Sequence, residues 1–249
     1  MRLFLHQLRA EQRLFWRSRE LAFFTFLLPI VFYLMLASAY GDDEIEGVGG
    51  YQFLLAGMIG YGAAATTFAG LALLLVIRRE SGVLKRLRVT PLPAATYIGA
   101  VLASIIVIFL LEAVILIVLA RVAFDVPLPD SLVSTVLVLL LGAGSFAALG
   151  VGLTALIKSA EGSSAVVNAL YLPVAFISGA FFSADAFPEV LRVLGELLPL
   201  SHLIRLCRDV IAYGESDWEH LDDVAVVAAW GLLGLAVALR RFRWEPRER

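Results

Sequence analysis

Residues 78–93 read RRESGVLKRLRVTPLP, and this charged stretch separates two long apolar runs. Five of its residues are basic, and only Glu80 is acidic. Leu84 and Leu87 recur at helical spacing, so one helical turn would present an apolar face between basic flanks. Two prolines then end any helix, because proline has no backbone N–H. The stretch predicts a short contact helix or, in the alternative, a basic loop that only fixes membrane orientation.

The composition on either side of this stretch is that of a membrane protein. Of 249 residues, 60% are hydrophobic and 17% are charged, with a mean hydropathy of +0.87. Soluble domains average roughly 45–50% apolar and about 25% charged residues. A single cysteine, Cys207, excludes an internal disulfide.

Six apolar runs are long enough to cross a bilayer, since about 20 apolar residues span a hydrocarbon core about 30 Å thick. The predicted spans are residues 21–40, 51–77, 96–120, 131–157, 162–184 and 222–240. We therefore predict an all-α membrane protein that forms one transmembrane domain over residues 1–249.

Two segments outside the spans carry helical patterns. Residues 1–20 place arginines among apolar residues at near-helical spacing, which predicts an amphipathic helix in the membrane interface or a plain positive anchor. The segment 183–223 holds two shorter patterns, at 187–198 and 201–212. Neither pattern is long enough to span, so both predict helices that dip into the membrane or lie on its surface.

Charge is segregated between alternate connections. The N-terminus, the 78–95 connection, Lys158 and the C-terminal tail hold 16 of the 20 basic residues, and the other connections hold 15 of the 22 acidic residues. The positive-inside rule then predicts that both termini lie in the cytoplasm, in a multi-pass protein of the cell membrane.

The sequence lacks the motifs of several enzyme classes. Neither of its two lysines follows a glycine, so it contains no GK[ST] phosphate loop, and no GxSxG nucleophile elbow is present. His6, His202 and His220 fall in different segments. Residues 142–147 match GxGxxA, a loose form of the dinucleotide-binding fingerprint. That fingerprint needs a strand before it and a helix start after it, whereas this match lies in the middle of an apolar run. Small residues for helix packing explain it better than a nucleotide site does. We predict no catalytic residue, no metal site and no cofactor bound by this chain.

Glu112 is the only acidic residue deep within an apolar run. A charge at membrane depth costs about 2.5–3.5 kcal/mol on insertion scales, so it usually faces protein or water. Glu112 is expected either to contact a cationic or polar substrate or a partner subunit, or to form a structural tie to Asn168 or a serine. Phe181 and Phe182 are expected either to line an exit gate or to act as interfacial anchors.

The charged stretch is similar to the loop between spans two and three of the ABC type-2 permease family. The similar pattern is RE-x-G-x-L-x-x-L-x-x-TP, from Arg79 to Pro91. The residues SGAFF at 178–182 also resemble that family's segment between its last two spans. In that segment Ser183 and Leu198 depart from the family, which often has proline and asparagine there.

This resemblance implies the membrane half of an ATP-driven exporter. Its partners would be membrane lipids, a second permease in a homodimer, and two copies of a separate ATP-binding subunit, which would hold ATP and Mg; no nucleic acid is expected. The N-terminal helix would lie in the interface, and the outer segment would form two short re-entrant helices. The region from Glu80 to Arg88 would be a coupling helix seated in a groove of the ATPase.

Within that helix, Leu84 and Leu87 would provide apolar contact with the ATPase, and Arg79, Glu80 and Arg88 would provide charge pairing. The residues expected to couple the two proteins are Arg79, Glu80, Gly82, Leu84, Leu87 and Arg88.

The expected substrate is a hydrophobic or amphipathic drug or lipid, because the sequence shows no wide aromatic stripe on which sugars could stack. A lipid-linked polysaccharide is the alternative substrate. Two other classes of function stay open: a channel or secondary transporter, which would more often show repeated halves, and a membrane scaffold. Co-purification of a nucleotide-binding chain would separate the exporter from both.

Overall fold

The computed structural model of the protein describes residues 1–157, 159–183, 187–214 and 220–242, without the side chain of Arg88. Within these ranges almost all regular structure is helical, and six helices are long and apolar enough to cross a membrane. The prediction of an all-α membrane protein with six spans is therefore confirmed.

The first half of the chain contains two spans joined by a short hairpin. Its elements are α1 (Arg2–Arg17), α2 (Arg19–Tyr40), β1 (Glu44–Ile45), β2 (Val48–Gly49), α3 (Gly50–Gly62), the π-helical segment π1 (Ala63–Gly70), α4 (Leu71–Glu80) and α5 (Val83–Arg88). The second span is composite, because α3, π1 and α4 form one continuous 31-residue helix. The two strands pair antiparallel, with Glu44 opposite Gly49.

The second half contains four spans and a helical segment between the last two. Its elements are α6 (Ala94–Phe124), α7 (Leu132–Thr154), α8 (Ala160–Ile177), α9 (Glu189–Gly195), α10 (Pro199–Arg208), the π-helical segment π2 (Asp209–Tyr213) and α11 (Leu221–Arg241). Of these, α6, α7, α8 and α11 are the candidate spans.

The largest difference from the predicted bounds is in α8. This helix ends at Ile177, whereas the apolar run predicted a span to Ala184, which lies outside the described residues. Gly179 has a φ of +80°, a left-handed conformation that typically terminates a helix. Hydropathy could not mark this end, because the residues after Gly179 are as apolar as those before it.

The two ends of the bundle hold different elements. The start of α1, the end of α11 and α5 lie at the end that we call the terminal side, where Phe242 and Leu87 pack against one apolar cluster and Phe4 lies near Gly99. The hairpin, α9 and α10 lie at the opposite end, the far side. There the Arg208 guanidinium donates a 3.3 Å hydrogen bond to the Glu46 carboxylate.

On the far side, α10 is buried inside the chain rather than lying along its surface. Apolar side chains such as Leu203 and Ile204 are almost fully buried. A β-carbon added to Gly60 of α3 would lie 2.4 Å from Ile204, so glycine is needed for this close approach. The two predicted short helical patterns are observed, as α9 and as α10 with π2.

Arg208, at the end of α10, joins the elements of the far side. Its Nη2 atom donates a 2.6 Å hydrogen bond to the Gly179 carbonyl, and its guanidinium lies 3.7 Å from the centre of the Phe53 ring. Glu46, in the hairpin turn, pairs with Arg208 and also accepts a 2.6 Å hydrogen bond from the Ser183 hydroxyl. These contacts connect the hairpin, α3, α10 and the turn after α8.

The close contact between α7 and α11 depends on small residues. A β-carbon added to Gly234 would lie 2.6 Å from the backbone nitrogen of Leu149, and one added to Gly231 would lie 2.9 Å from the Ser145 α-carbon. The GxGxxA match lies inside α7, where Ser145 faces α11. Helix packing therefore explains that match, as predicted.

We expect Gly234→Ala to lower the free energy of unfolding by about 1–3 kcal/mol, because the added methyl group would push the α7 and α11 backbones apart. The measurement is thermal or denaturant unfolding of the purified chain in detergent.

Gly144→Ala is the matched control, because it lies on α7 at an exposed position where an added β-carbon meets nothing within 4 Å. The control should be neutral or slightly stabilising. Equal stability of the two variants would contradict the close packing of α7 on α11.

Candidate coupling surface and membrane cavity

A sharp turn separates α4 from α5 and depends on Gly82. Its φ is +73°, which non-glycine residues rarely adopt, and its N–H bonds the Arg79 carbonyl. The turn directs the short helix α5 (Val83–Arg88) back against the bundle. Gly82 is thus needed for the shape of the loop, whatever binds there.

Leu84 anchors α5 to its own bundle. Its side chain has 0% exposure and belongs to an apolar cluster with Leu71, Leu75 and Tyr97, and Leu87 packs partly against the same cluster. This differs from the prediction that Leu84 and Leu87 contact the ATPase directly. Helical spacing fixes a common face for the two leucines, but that face is turned toward α4 and α6.

Arg79 is also directed inward, toward the end of α7. It is 2% exposed, and its guanidinium donates hydrogen bonds of 2.8 Å to the Thr154 carbonyl and 2.7 Å to the Ile157 carbonyl. These carbonyls lie at and just beyond the helix C-terminus, where a cation is favoured. Arg79 was predicted to pair with charge on the ATPase, but here it connects α4 to α7.

Arg78, the preceding residue, connects α4 to two other helices. Its Nη2 atom lies 2.6 Å from Glu11 of α1, and its Nη1 atom donates a 2.8 Å hydrogen bond to the Tyr97 hydroxyl of α6. Glu11 is buried and also accepts a 2.8 Å hydrogen bond from Gln7. The N-terminal helix is therefore fixed to the bundle by a buried ion pair.

The exposed face of the loop is basic. Lys85 and Arg86 of α5 are exposed, and Val83 beside them is 38% exposed. Glu80 is half-buried and accepts a 3.0 Å hydrogen bond from Nε of Arg79. The predicted contact residue Arg88 lies at the end of α5, but its side chain is outside the described part of the structure. We call Val83, Lys85 and Arg86 the basic face of α5.

A cavity of about 480 Å³ lies among α1, α2, the second span, α6 and α8, and we call it the membrane cavity. Most of its lining is apolar. Its polar lining includes the pair of Arg78 and Glu11 together with Ser104, which bonds Gln12 next to Glu11, and, farther along α6, Glu112 with Thr66.

Glu112 lines this cavity and is 2% exposed. Its Oε2 atom accepts a 2.8 Å hydrogen bond from the Thr66 hydroxyl in π1. The predicted structural tie is thus present, but its partner is Thr66 rather than Asn168 or a serine. A β-carbon on Gly62 would lie 2.4 Å from Oε1, so Gly62 provides the space for the carboxylate.

Asn168 lines the cavity from α8 without bonding Glu112. Its side-chain nitrogen donates a 3.3 Å hydrogen bond to Ser164, one turn earlier on the same helix. Tyr171 of α8 shares a 2.7 Å hydrogen bond with Tyr61 of the second span. This buried hydroxyl pair joins α8 to the rest of the bundle.

Phe181 and Phe182 lie in different environments. Phe181 is buried and forms ring contacts with Phe32, Tyr61 and Phe176. Phe182 is 39% exposed and meets the edge of Tyr40. Only Phe181 reaches the aromatic cluster that includes Tyr61, a residue of the cavity wall, so an anchor role suits Phe182 better.

A partly buried polar cluster joins α10 to α11 on the far side. The Arg205 guanidinium bonds both carboxylate oxygens of Asp223 at 2.8 and 3.2 Å, and it also bonds Glu196. His202 bonds Asp223 as well. Burial alone lowers the pKa of Arg205, but its hydrogen bonds with the two carboxylates outweigh burial and raise that pKa, so the group stays charged.

One group of described residues on the far side has metal-ligand chemistry. Ligand atoms of Asp209, His220 and Asp223 lie within 4.8 Å of one another. Asp223 already accepts hydrogen bonds from Arg205 on both oxygens. A metal ion would have to displace that guanidinium, so we assign no metal to this group.

Sequence reasoning missed Glu11 and Thr66. Glu11 had a visible signal, since it is the only acidic residue among residues 1–19. Thr66 had none, because a threonine in a small-residue span looks like a packing residue, and 46 positions separate it from Glu112.

Comparisons with known proteins place this architecture among transport permeases. Residues 42–240 match the family model described as ABC-2 family transporter protein. YvfS of Bacillus subtilis (strain 168), whose name describes a transport permease, is 23% identical over 213 residues, covering 85% of this chain and 86% of YvfS. Nodulation protein J of Rhizobium leguminosarum bv. trifolii is 37% identical over 67 residues, or 27% of this chain and 26% of that protein.

The family match covers most of the chain, from the second candidate span to the sixth. Six apolar helices and this match together indicate a multi-pass membrane protein. The protein belongs to the ABC-2 transporter family, as a membrane component of the transport permease type.

Proposed function

We propose that this permease is the membrane half of an ATP-driven exporter in the cell membrane, with both termini in the cytoplasm. Two copies of the chain would associate with two separate ATP-binding subunits, which would hold ATP and Mg. The observation that carries the proposal is the basic face of α5, which Leu84 packs against the terminal side of a bundle of this family. The charge distribution supports the orientation, since basic residues concentrate on that side.

The contact with the ATPase would be made by the basic face rather than by the leucines. Val83, Lys85 and Arg86 are accessible, whereas Leu84 is enclosed by the permease. Arg88 stays a predicted contact residue. Glu80 is partly exposed and could also meet the ATPase, whereas its neighbour Arg79 is buried. Basic side chains around one exposed apolar residue suit an acidic groove, where charge complementarity speeds association and fixes register.

Motion of α5 would reach the spans through three fixed contacts. Leu84 ties α5 to α4 and α6, Arg79 ties α4 to α7, and Arg78 ties α4 to α1 and α6. When the ATP-binding subunits close on nucleotide, α4 would therefore move together with these neighbours. Such a movement changes the walls of the membrane cavity, because α1, the second span and α6 all line it.

A second copy of the chain would cover α2 and α8. Most residues of α8 are exposed, including Ser164 and Asn168, which are polar groups at membrane depth. Polar and small residues on a membrane helix usually face protein rather than lipid. The homodimer would place these two helices beside their counterparts, with α1 in the interface and α9 and α10 as re-entrant helices.

The largely apolar cavity supports a hydrophobic or amphipathic substrate, a drug or a lipid. A lipid-linked polysaccharide is the alternative, and a channel or a scaffold would apply if no ATP-binding chain associates.

We expect the double reversal Lys85→Glu, Arg86→Glu to weaken association with the ATP-binding subunit about tenfold or more, because like charges would face an acidic groove. The measurement is co-purification and ATP hydrolysis in lipid, with the ATP-binding subunit that accompanies the wild-type permease. Arg2→Glu, Arg9→Glu on α1 makes the same charge change on the terminal side and should leave association unchanged. Unchanged association of the α5 variant would contradict the proposal that the basic face of α5 contacts the ATP-binding subunit.

Arg79→Gln should separate coupling from association. We expect the variant to bind the ATP-binding subunit normally but to move less substrate per ATP hydrolysed, because α4 is no longer tied to α7. Its unfolding free energy should also fall by about 1–3 kcal/mol, since buried carbonyls lose their donors. Lys85→Gln, which removes an exposed charge, is the control for stability. Normal transport per ATP in Arg79→Gln would contradict transmission through α7.

A further inference from the structure

One carboxyl group of the membrane cavity, that of Glu112, has no oppositely charged partner among the described residues. Among the described residues that line the cavity, the charged side chains are Glu11, Arg78 and Glu112. Arg78 and Glu11 neutralise each other across 2.6 Å. Glu112 receives one neutral hydrogen bond, from Thr66, and its Oε1 atom receives none from the described residues. An ionised carboxylate there lacks a countercharge, which is costly at membrane depth.

Two tyrosines lie at the same end of the cavity as Glu112. Tyr61 and Tyr171 line it, and their hydroxyls bond each other, so each hydroxyl already has a partner. Aromatic rings attract cations through their faces, and a carboxylate with nearby rings is a favourable environment for an organic ammonium or similar ion.

The rest of the cavity suits an apolar body. Ser104, Ile108 and Glu112 lie on one face of α6 at four-residue spacing, and all three line the cavity. Eight residues of helix separate its Ser104 level from its Glu112 level, which is about 12 Å. Between these levels the cavity walls are mainly apolar, with Ala69 and Leu73 from the second span.

A centred α6 would place Glu112 below the level of the lipid headgroups, which favours a cation other than a headgroup in its usual position. Helix α6 has 31 residues and is about 46 Å long, so it overhangs a core of about 30 Å by about 8 Å at each end when centred. Glu112 lies twelve residues, or about 18 Å, from the end at Phe124. That position is about 10 Å inside the hydrocarbon, below the headgroups of the nearer leaflet.

We propose that the membrane cavity binds a lipophilic organic cation, with its charge at Glu112 and its apolar body between α2, α6 and the second span. This inference names a ligand class for the cavity and rests on the proposed transport function only for its biological purpose, since binding requires neither ATP nor a partner. Thr66 would hold the carboxylate in place, and Gly62 would leave the space in which it sits.

The test is equilibrium dialysis of the full chain in lipid nanodiscs against tetraphenylphosphonium, with empty nanodiscs subtracted. Tetraphenylborate, an anion of the same shape and apolar surface, is the matched probe. We expect saturable binding of the cation and none of the anion. Glu112→Gln keeps the shape and the acceptor for Thr66 but removes the charge, and it should weaken cation binding at least about tenfold.

Asp125→Asn is the control variant, because it removes a carboxylate from the exposed end of α6 at a left-handed position that asparagine tolerates. It should leave binding unchanged. Ala65→Phe, which fills the cavity, should abolish binding and decides the question if Glu112→Gln does not fold.

The proposal is overturned by unchanged cation binding in Glu112→Gln, by retention in Ala65→Phe, or by equal binding of the anion. A failure here would leave ATPase association intact, so it is distinguishable from a failure of the exporter proposal.

Discussion

Two adjacent arginines at the end of α4 hold the terminal side of this permease together. Consecutive residues of a helix point about 100° apart, so Arg78 and Arg79 reach different neighbours. Arg78 pairs with the buried Glu11 and with Tyr97, and Arg79 bonds carbonyls at the end of α7. Breaking either contact would leave a buried charge or carbonyl without its partner, which costs far more than a surface ion pair contributes. The end of α4 is therefore tied to α1, α6 and α7, and α5 is attached directly to it.

This arrangement divides the charged loop into two faces with different surroundings. The inner face, with Arg79 and Leu84, belongs to the bundle. The outer face, with Lys85 and Arg86, is free to meet another protein. The same division links the loop to the membrane cavity, because Arg78 and Glu11 form one end of that cavity and Glu112 lies toward the other. A displacement of α5 would alter the cavity without direct contact between the ATP-binding subunit and the substrate.

Much of the fold could be predicted from the sequence, because membrane spans depend on the length and hydropathy of a run and not on which face is buried. Charge segregation likewise predicts which connections share a side. Side-chain direction could not be predicted. The spacing of Leu84 and Leu87 is the same whether the leucine face of α5 meets a partner or the bundle. The direction of that face follows from the left-handed turn at Gly82, which the spacing does not show. The π-helical turn that brings Thr66 to Glu112 was equally hidden, since its alanines and threonines also suit an α-helix.

The most direct test of the two-faced loop is the accessibility of single cysteines in a Cys207→Ser background, the native thiol being buried. Cysteines placed at Lys85 and at Leu84 would be treated with a membrane-impermeant maleimide in nanodiscs, with and without the ATP-binding subunit. The account predicts rapid labelling at position 85 that the subunit blocks, and no labelling at position 84 in either condition. Rapid labelling at position 84 that the subunit blocks, with position 85 unaffected, would contradict it and restore the leucines as the contact surface.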